Sequence, residues 1–225
     1  MIVAALQPGY LPWAGYFNLM KRADLFVIED SLQYTKQDWR NRNRIRTREG
    51  SALLTVPVRK GAVTDRINEV LIDNRQPWGR RHWSLIEQNY AKAPFWVQYK
   101  EFLRESYARE WDRLVDLDVW FAAFLAEAFG IRTPVRLLSE IPVVFGPDKT
   151  KSLVDLTRAV GADAFLEGSS GQDFIEPRQF EAAGLGIVFQ EYECRPYRQR
   201  YEPFVSHLSA LDLLLNEGPE GGALI

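Results

Sequence analysis

The run Gln7-Pro8-Gly9-Tyr10-Leu11-Pro12-Trp13 places an amide and two aromatic rings in a proline-stiffened loop. It directly follows the apolar stretch at residues 2–6. Rings and an amide at the end of a buried strand suit stacking on a planar or sugar ring, and the helix after the loop offers free N–H groups to an anion. Asp30 closes a second apolar stretch, and Gln33, Lys36 and Trp39 follow. From Lys36 to Arg48 there are six basic residues and one acidic residue, Asp38, a local charge of +5 in a chain of net −2. The five arginines alternate, so in an extended chain they share a face. Guanidiniums suit phosphate or carboxylate. Lys36, Asn41, Arg42 and Asn43 lie toward Asp30 and are candidate substrate ligands; Arg44, Arg46 and Arg48 are expected on a solvated edge.

Later in the chain, Gly168-Ser169-Ser170-Gly171 is a glycine-rich turn that could present N–H groups to an anion, although it lacks the Gly-Lys-Ser/Thr ending of a P-loop. Tyr197 and Gln199 sit in an aromatic loop. Ser209-x-x-Asp212 reads as a helix start with Ser209 as N-cap. Two histidines are present, His82 and His207. His82, on a helix, could serve as an acid/base. Two isolated histidines and one cysteine make a transition-metal site improbable.

These residues must be positioned by elements that the hydropathy pattern outlines. Residues 2–6 and 25–28 are short apolar runs and read as buried strands around a helix over 15–23, a βαβ unit with parallel strands. Strands are expected at 51–58 and 67–72, then helices at 77–90, 95–107 and 109–129. The last third alternates again: strands at 135–138, 164–166 and 186–192, helices at 151–160, 177–183 and 209–216. Alternating strands and helices predict a three-layer α/β fold with a mainly parallel, Rossmann-like sheet. The expected layout is a single domain over 1–225 with a helical insertion near 77–129 and a small β-hairpin. The Gly-Pro-Glu-Gly-Gly tail is expected to fray.

Hydrophobic residues at 46% and charged residues at 26% exclude disorder. A net charge of −2 gives no global field for nucleic acid. No run approaches eighteen apolar residues, and the start lacks a basic segment before its short apolar stretch, so a cytoplasmic protein without a membrane span is expected.

In this order the motifs resemble the WbqC-like family of bacterial proteins. The match runs from Gln7-Pro8-x-Tyr10-x-Pro12-Trp13-x-Gly15-Tyr16-Phe17 and Ala23-Asp24, through Asp30, Gln33, Lys36, Trp39, Asn41-Arg42-Asn43 and Leu54-Thr55-Val56-Pro57-Val58. It continues through His82, Tyr90, Ala93-Pro94-Phe95 and Gly161-Ala162-Asp163. It closes with Gly168-x-x-Gly171, Pro196-Tyr197-x-Gln199 and Leu208-Ser209-x-Leu211-Asp212-Leu213-Leu214. Two positions depart: Leu6 stands where relatives often carry His, and Glu167 where many carry Ser.

The family is associated with O-antigen and other surface-polysaccharide gene clusters. The resemblance therefore implies a transferase of surface-glycan or related small-molecule biosynthesis, moving an acyl or aminoacyl group onto an amine of a nucleotide-linked sugar. Lys36 and Arg42 would hold a phosphate-bearing donor or acceptor, a nucleotide-sugar or an acyl carrier, and Tyr10 and Trp13 would stack on a ring. Asp30 or His82 would take the proton from the nucleophile. Asn41, Asn43 or the 168–171 turn would stabilise developing negative charge. Gln7, Gln33, Ser169, Gly171, Tyr197 and Gln199 would complete the substrate contacts, with Asp212 either catalytic or fixing its loop. A looser similarity to the pantothenate synthetase superfamily, whose His-x-Gly-His signature is absent, leaves an adenylate-forming ligase or nucleotidyltransferase using ATP and Mg²⁺ as an alternative. A glycan- or carrier-binding accessory protein is a third. The sequence leaves the cofactor unknown.

Overall fold

The computed structural model describes residues 1–36 and 38–225, with Val63 described by its backbone alone. The chain forms two compact units. The first comprises residues 1–7, 15–32 and 132–193; the second comprises 8–14, 33–131 and 194–225.

The first unit is the parallel sheet. Its strands are β1 (Ile2–Leu6), β2 (Leu25–Ile28), β5 (Val135–Leu137), β6 (Ala164–Glu167) and β7 (Gly186–Phe189). Their spatial order is β5-β2-β1-β6-β7, and every pairing is parallel. Alternation along β2 shows how it is covered. Phe26 meets the Tyr16 ring of α1 (Ala14–Arg22) edge-on at 5.1 Å. Leu25 and Val27 point the other way, into a core with Leu153, Val154 and Leu156 of α5 (Lys149–Ala159) and Phe180 of α6 (Pro177–Ala182). Helices therefore cover both faces, the arrangement that apolar strands buried on both sides demand. Asp148 caps α5 by accepting the Lys151 N–H at 2.9 Å.

The second unit holds the antiparallel hairpin of β3 (Arg42–Thr47) and β4 (Gly50–Thr55). It also holds the helices α2 (Trp78–Tyr90), α3 (Trp96–Ala108), α4 (Leu114–Ala128) and α7 (Ala210–Glu217). Pro77 stands just before α2 rather than inside it. The arginine-rich run is β3 itself. Among the described residues no helix is long and apolar enough to cross a membrane.

Three expectations are corrected. Residues 67–72 do not form a strand: Ile67–Glu69 is a 3-10 turn, followed by single bridges from Leu71 to Arg113 and Ile72 to Val58. The buried positions Ile67 and Val70 are three apart, the 3-10 period, whereas a strand would also bury Glu69. The glycine-rich tail does not fray but forms a 3-10 segment, Gly218–Leu224, on α7. It packs closely because its glycines lack side chains: a Cβ on Gly222 would come within 2.7 Å of the Phe129 carbonyl oxygen. Finally, Arg46 does not lie on a solvated edge; it is 1% exposed.

Candidate functional site

In the first unit the predicted residues lie at the carboxyl ends of strands. Connections leave β1 toward β2 on one side and reach β6 on the other, so the β1/β6 boundary is the switch point where open parallel sheets bind ligands. Gln7 follows β1, and its Oε1 is shielded from solvent with no hydrogen-bond partner among the described residues. Ser169 is exposed and Gly171 buried in the 3-10 turn Ser169–Asp173 after β6. Glu167 ends β6, and burial pushes its carboxyl up to about 7 against the Gly168 N–H bond that favours the anion. Asp30 follows β2 and is buried. Its Oδ1 accepts the Ser139 N–H at 2.9 Å and its Oδ2 the Ser139 hydroxyl at 2.7 Å, tying the end of β2 to the turn after β5.

In the second unit the opening loop is built into the hairpin. The Tyr10 N–H donates to the Trp39 and Arg40 carbonyls at 3.2 and 3.1 Å. Gly9 permits this approach, since a Cβ there would come within 3.0 Å of the Trp39 oxygen. Asn43 Nδ2 donates to the Leu11 carbonyl at 2.7 Å and to that of Tyr10 at 3.3 Å, and Asn41 Nδ2 donates to the Val56 carbonyl at 2.7 Å. Both asparagine amides thus serve the backbone.

The Tyr10 ring has no open face. It is fully buried against His82, Phe121 and Tyr107, and its hydroxyl lies 2.9 Å from His82 Nδ1 and bonds the Tyr107 hydroxyl. His82 also hydrogen-bonds the Thr55 backbone, so its ring is held by both Thr55 and the Tyr10 hydroxyl. Burial lowers the His82 pKa to about 4, so the imidazole is neutral at physiological pH. Trp13 by contrast is only half-buried and stacks on His207.

Asp212, at the start of α7, is fully buried and is the acceptor around which the 194–209 loop is folded. Its Oδ1 accepts the Tyr90 hydroxyl at 2.7 Å; its Oδ2 accepts the Tyr197 hydroxyl at 2.7 Å and Gln199 Nε2 at 2.8 Å. Burial raises its pKa and these three bonds oppose the rise. Ser209 caps the helix, its hydroxyl accepting the Leu211 N–H at 3.2 Å. Gln33 and Lys36 are exposed, and Arg42 is half-buried with no partner for its Nε among the described residues.

The residue that sequence reasoning missed is Asp118, inside α4. It is 1% exposed, and neither carboxyl oxygen accepts a hydrogen bond from any described residue. Burial pushes its pKa well above the carboxylate range, and the charge of Arg40 opposes this only in part. When ionised it would raise the pKa of the buried hydroxyls of Tyr10 and Tyr34. Tyr34 in turn senses Arg42, Asp38 and Arg40. Buried polar groups are nearly always hydrogen-bonded, so a carboxyl without such a partner, its pKa raised by burial, makes Asp118 a candidate site residue. Its signal was in the sequence: Asp118 lies four residues after Leu114 and three before Phe121, on the apolar stripe of its helix. Among the described residues, no group of three or more His, Cys, Asp or Glu side chains is placed to hold a metal ion.

No solved structure matches the chain. It is 35% identical over 221 residues to a Mycobacterium tuberculosis protein described as "Uncharacterized protein Rv1507c", covering 97% of this chain and 94% of that one. The family model of the WbqC-like proteins matches residues 7–223. A match of that extent is decisive, and the chain belongs to the WbqC-like protein family.

Proposed function

We propose that the protein is a transferase of surface-polysaccharide or related small-molecule biosynthesis, acting in the cytoplasm. It moves an acyl or aminoacyl group onto an amine of a nucleotide-linked sugar. The observation that carries this reading is Asp118, a buried carboxyl held neutral, without a hydrogen-bond partner among the described residues and within electrostatic range of Tyr10, Tyr34 and Arg40. A neutral carboxylic acid in an apolar site is a strong donor to an oxygen that gains charge. Acyl transfer to an amine moves one proton from nitrogen to the leaving group. Asp118 gives its proton to the departing atom and recovers one from the new amide nitrogen, so the side chain ends as it began. Lys36 and Arg42 hold the phosphate or carboxylate of the substrate. His82 is neutral and spent on Tyr10, so its part is to fix the loop rather than to carry protons.

A thermal-shift panel tests the reading. Stabilisation by nucleotide-sugars or acyl-carrier compounds, lost in Arg42→Ala, supports it. Stabilisation by ATP with Mg²⁺ alone points instead to a ligase or nucleotidyltransferase, and by glycans alone to a binding protein.

A further inference from the structure

Trp13 is bracketed by two strained backbones. Leu11, at φ 46°, and His207, at φ 56°, are the non-glycine residues with positive φ among those described. Such conformations persist only where the surroundings impose them, and they concentrate where ligands are held. Here the surroundings can be named. Leu11 is held by Asn43. The His207 carbonyl accepts Arg44 Nη2 at 3.5 Å, and its Nδ1 lies 2.8 Å from the Ser206 hydroxyl. The chain beyond it is tied down by Ser209 N–H to the Arg44 carbonyl at 2.9 Å and Ala210 N–H to the Pro12 carbonyl at 2.8 Å.

The His207 ring lies on the Trp13 indole, 5.4 Å between centroids and 27° from parallel. The imidazole is thus fixed in position while the residue stays exposed. Beside it, the Arg44 guanidinium sits 5.8 Å over the ring of Trp39, which is 49% exposed. An exposed imidazole gains little stability from being held this way, and its preorganisation suits a ligand.

We propose that Trp13, His207, Arg44 and Trp39 form a shelf for the nucleoside phosphate part of the substrate. The base stacks on the Trp13–His207 pair and Arg44 pairs with the phosphate. Flat π faces next to one guanidinium fit a base joined to a phosphate. They lack the carboxylate and amide side chains that would grip ring hydroxyls of a bare sugar. The assignment of this nucleotide to a larger substrate rests on the transferase reading above, but the shelf itself can be tested without any transfer reaction.

Tryptophan fluorescence is titrated with uridine 5′-monophosphate, adenosine 5′-monophosphate and phosphate-free uridine. At least one monophosphate is expected to quench with Kd at or below about 1 mM. The Trp13→Phe or Trp39→Phe variant is expected to lose the signal. Asparagine adopts the left-handed backbone readily, so His207→Asn keeps the loop and removes the ring. It should weaken binding by about tenfold or more, as should Arg44→Ala and the omission of the phosphate. Absence of quenching by either nucleotide, or unchanged affinity in His207→Asn, overturns the shelf; uridine binding as tightly as its monophosphate overturns the role of Arg44. A shelf that binds nucleotide in a protein that transfers no acyl group would instead count against the transferase reading alone.

Discussion

Tyr90 and Asp212, 122 residues apart in the chain, share a 2.7 Å hydrogen bond in which the phenol donates to Oδ1. Tyr197 and Gln199 donate to the other oxygen. Asn216 Nδ2 adds a longer bond of 3.4 Å to Oδ1, so the carboxylate accepts from four donors, and Asp212→Asn turns one acceptor into a donor facing donors. A lost buried bond of this kind costs about 1–3 kcal/mol. In a chain of this size the Tm is expected to fall by about 2–12 °C in a thermal melt. An unchanged Tm with lost activity would instead place Asp212 in contact with substrate.

His82 gives a pH signature. Its folded pKa, about 4, lies below the unfolded value, so between about 4 and about 6.5 the unfolded chain binds a proton that the folded protein refuses. Stability falls as pH drops through that window, by about 3 kcal/mol in all. Urea unfolding from pH 7 to pH 4 is expected to show this slope, and His82→Gln to flatten it. A His82 that titrates near 6.5 by NMR would contradict the buried, neutral ring.

The arginines of β3 should separate. Arg46 donates to the carbonyls of Thr47, Gly50, Tyr201 and Pro203. Removing it takes the charged donor from four backbone carbonyls, of which that of Thr47 is buried, and Arg46→Ala is expected to cost about 3 kcal/mol or more by urea unfolding. Arg48 is exposed, and Arg48→Ala should stay within about 0.5 kcal/mol of the parent. Equal costs at the two positions would mean that the burial of Arg46 contributes nothing.

That contrast shows what the sequence could and could not reveal. The five strands of the parallel sheet were legible because each is short, largely apolar and next to a helical period, even β5 with Arg136 between Val135 and Leu137. A small hairpin and a strand at 51–58 were expected, and the arginine alternation marked an extended segment, but their pairing with each other was not read from the sequence. The fate of Arg46 was not, because its partners at 201 and 203 lie more than 150 residues away and are backbone carbonyls, which leave no trace in side-chain pattern. Residues 67–72 misled for a related reason: Ile67, Val70 and Ile72 fit two periods equally well over so short a span. In the candidate site the aromatic loop was visible, but burial inverted the expected roles. Tyr10 and His82 hold the loop from inside, and Asp118, hidden by the apolar helix around it, carries the unsatisfied chemistry.

Asp118 should oppose stability where His82 supports it. Its folded pKa is raised, so from about pH 4 upward the folded protein keeps a proton that the unfolded chain releases, and stability declines with rising pH. Asp118→Asn removes that cost. The variant is expected to melt about 2–8 °C higher than the parent at pH 8 and equally at pH 4, while losing substrate turnover. A variant less stable at pH 8 would show that the carboxyl is a structural partner.

The most direct test of the central claim is the carboxyl ¹³C shift of Asp118 followed by NMR from pH 3 to pH 9, with Asp118→Asn to assign the signal. A neutral acid poised for transfer predicts a protonated carboxyl that persists through pH 7. A midpoint near 4 would make Asp118 an ordinary carboxylate and remove the proton on which the proposed reaction depends.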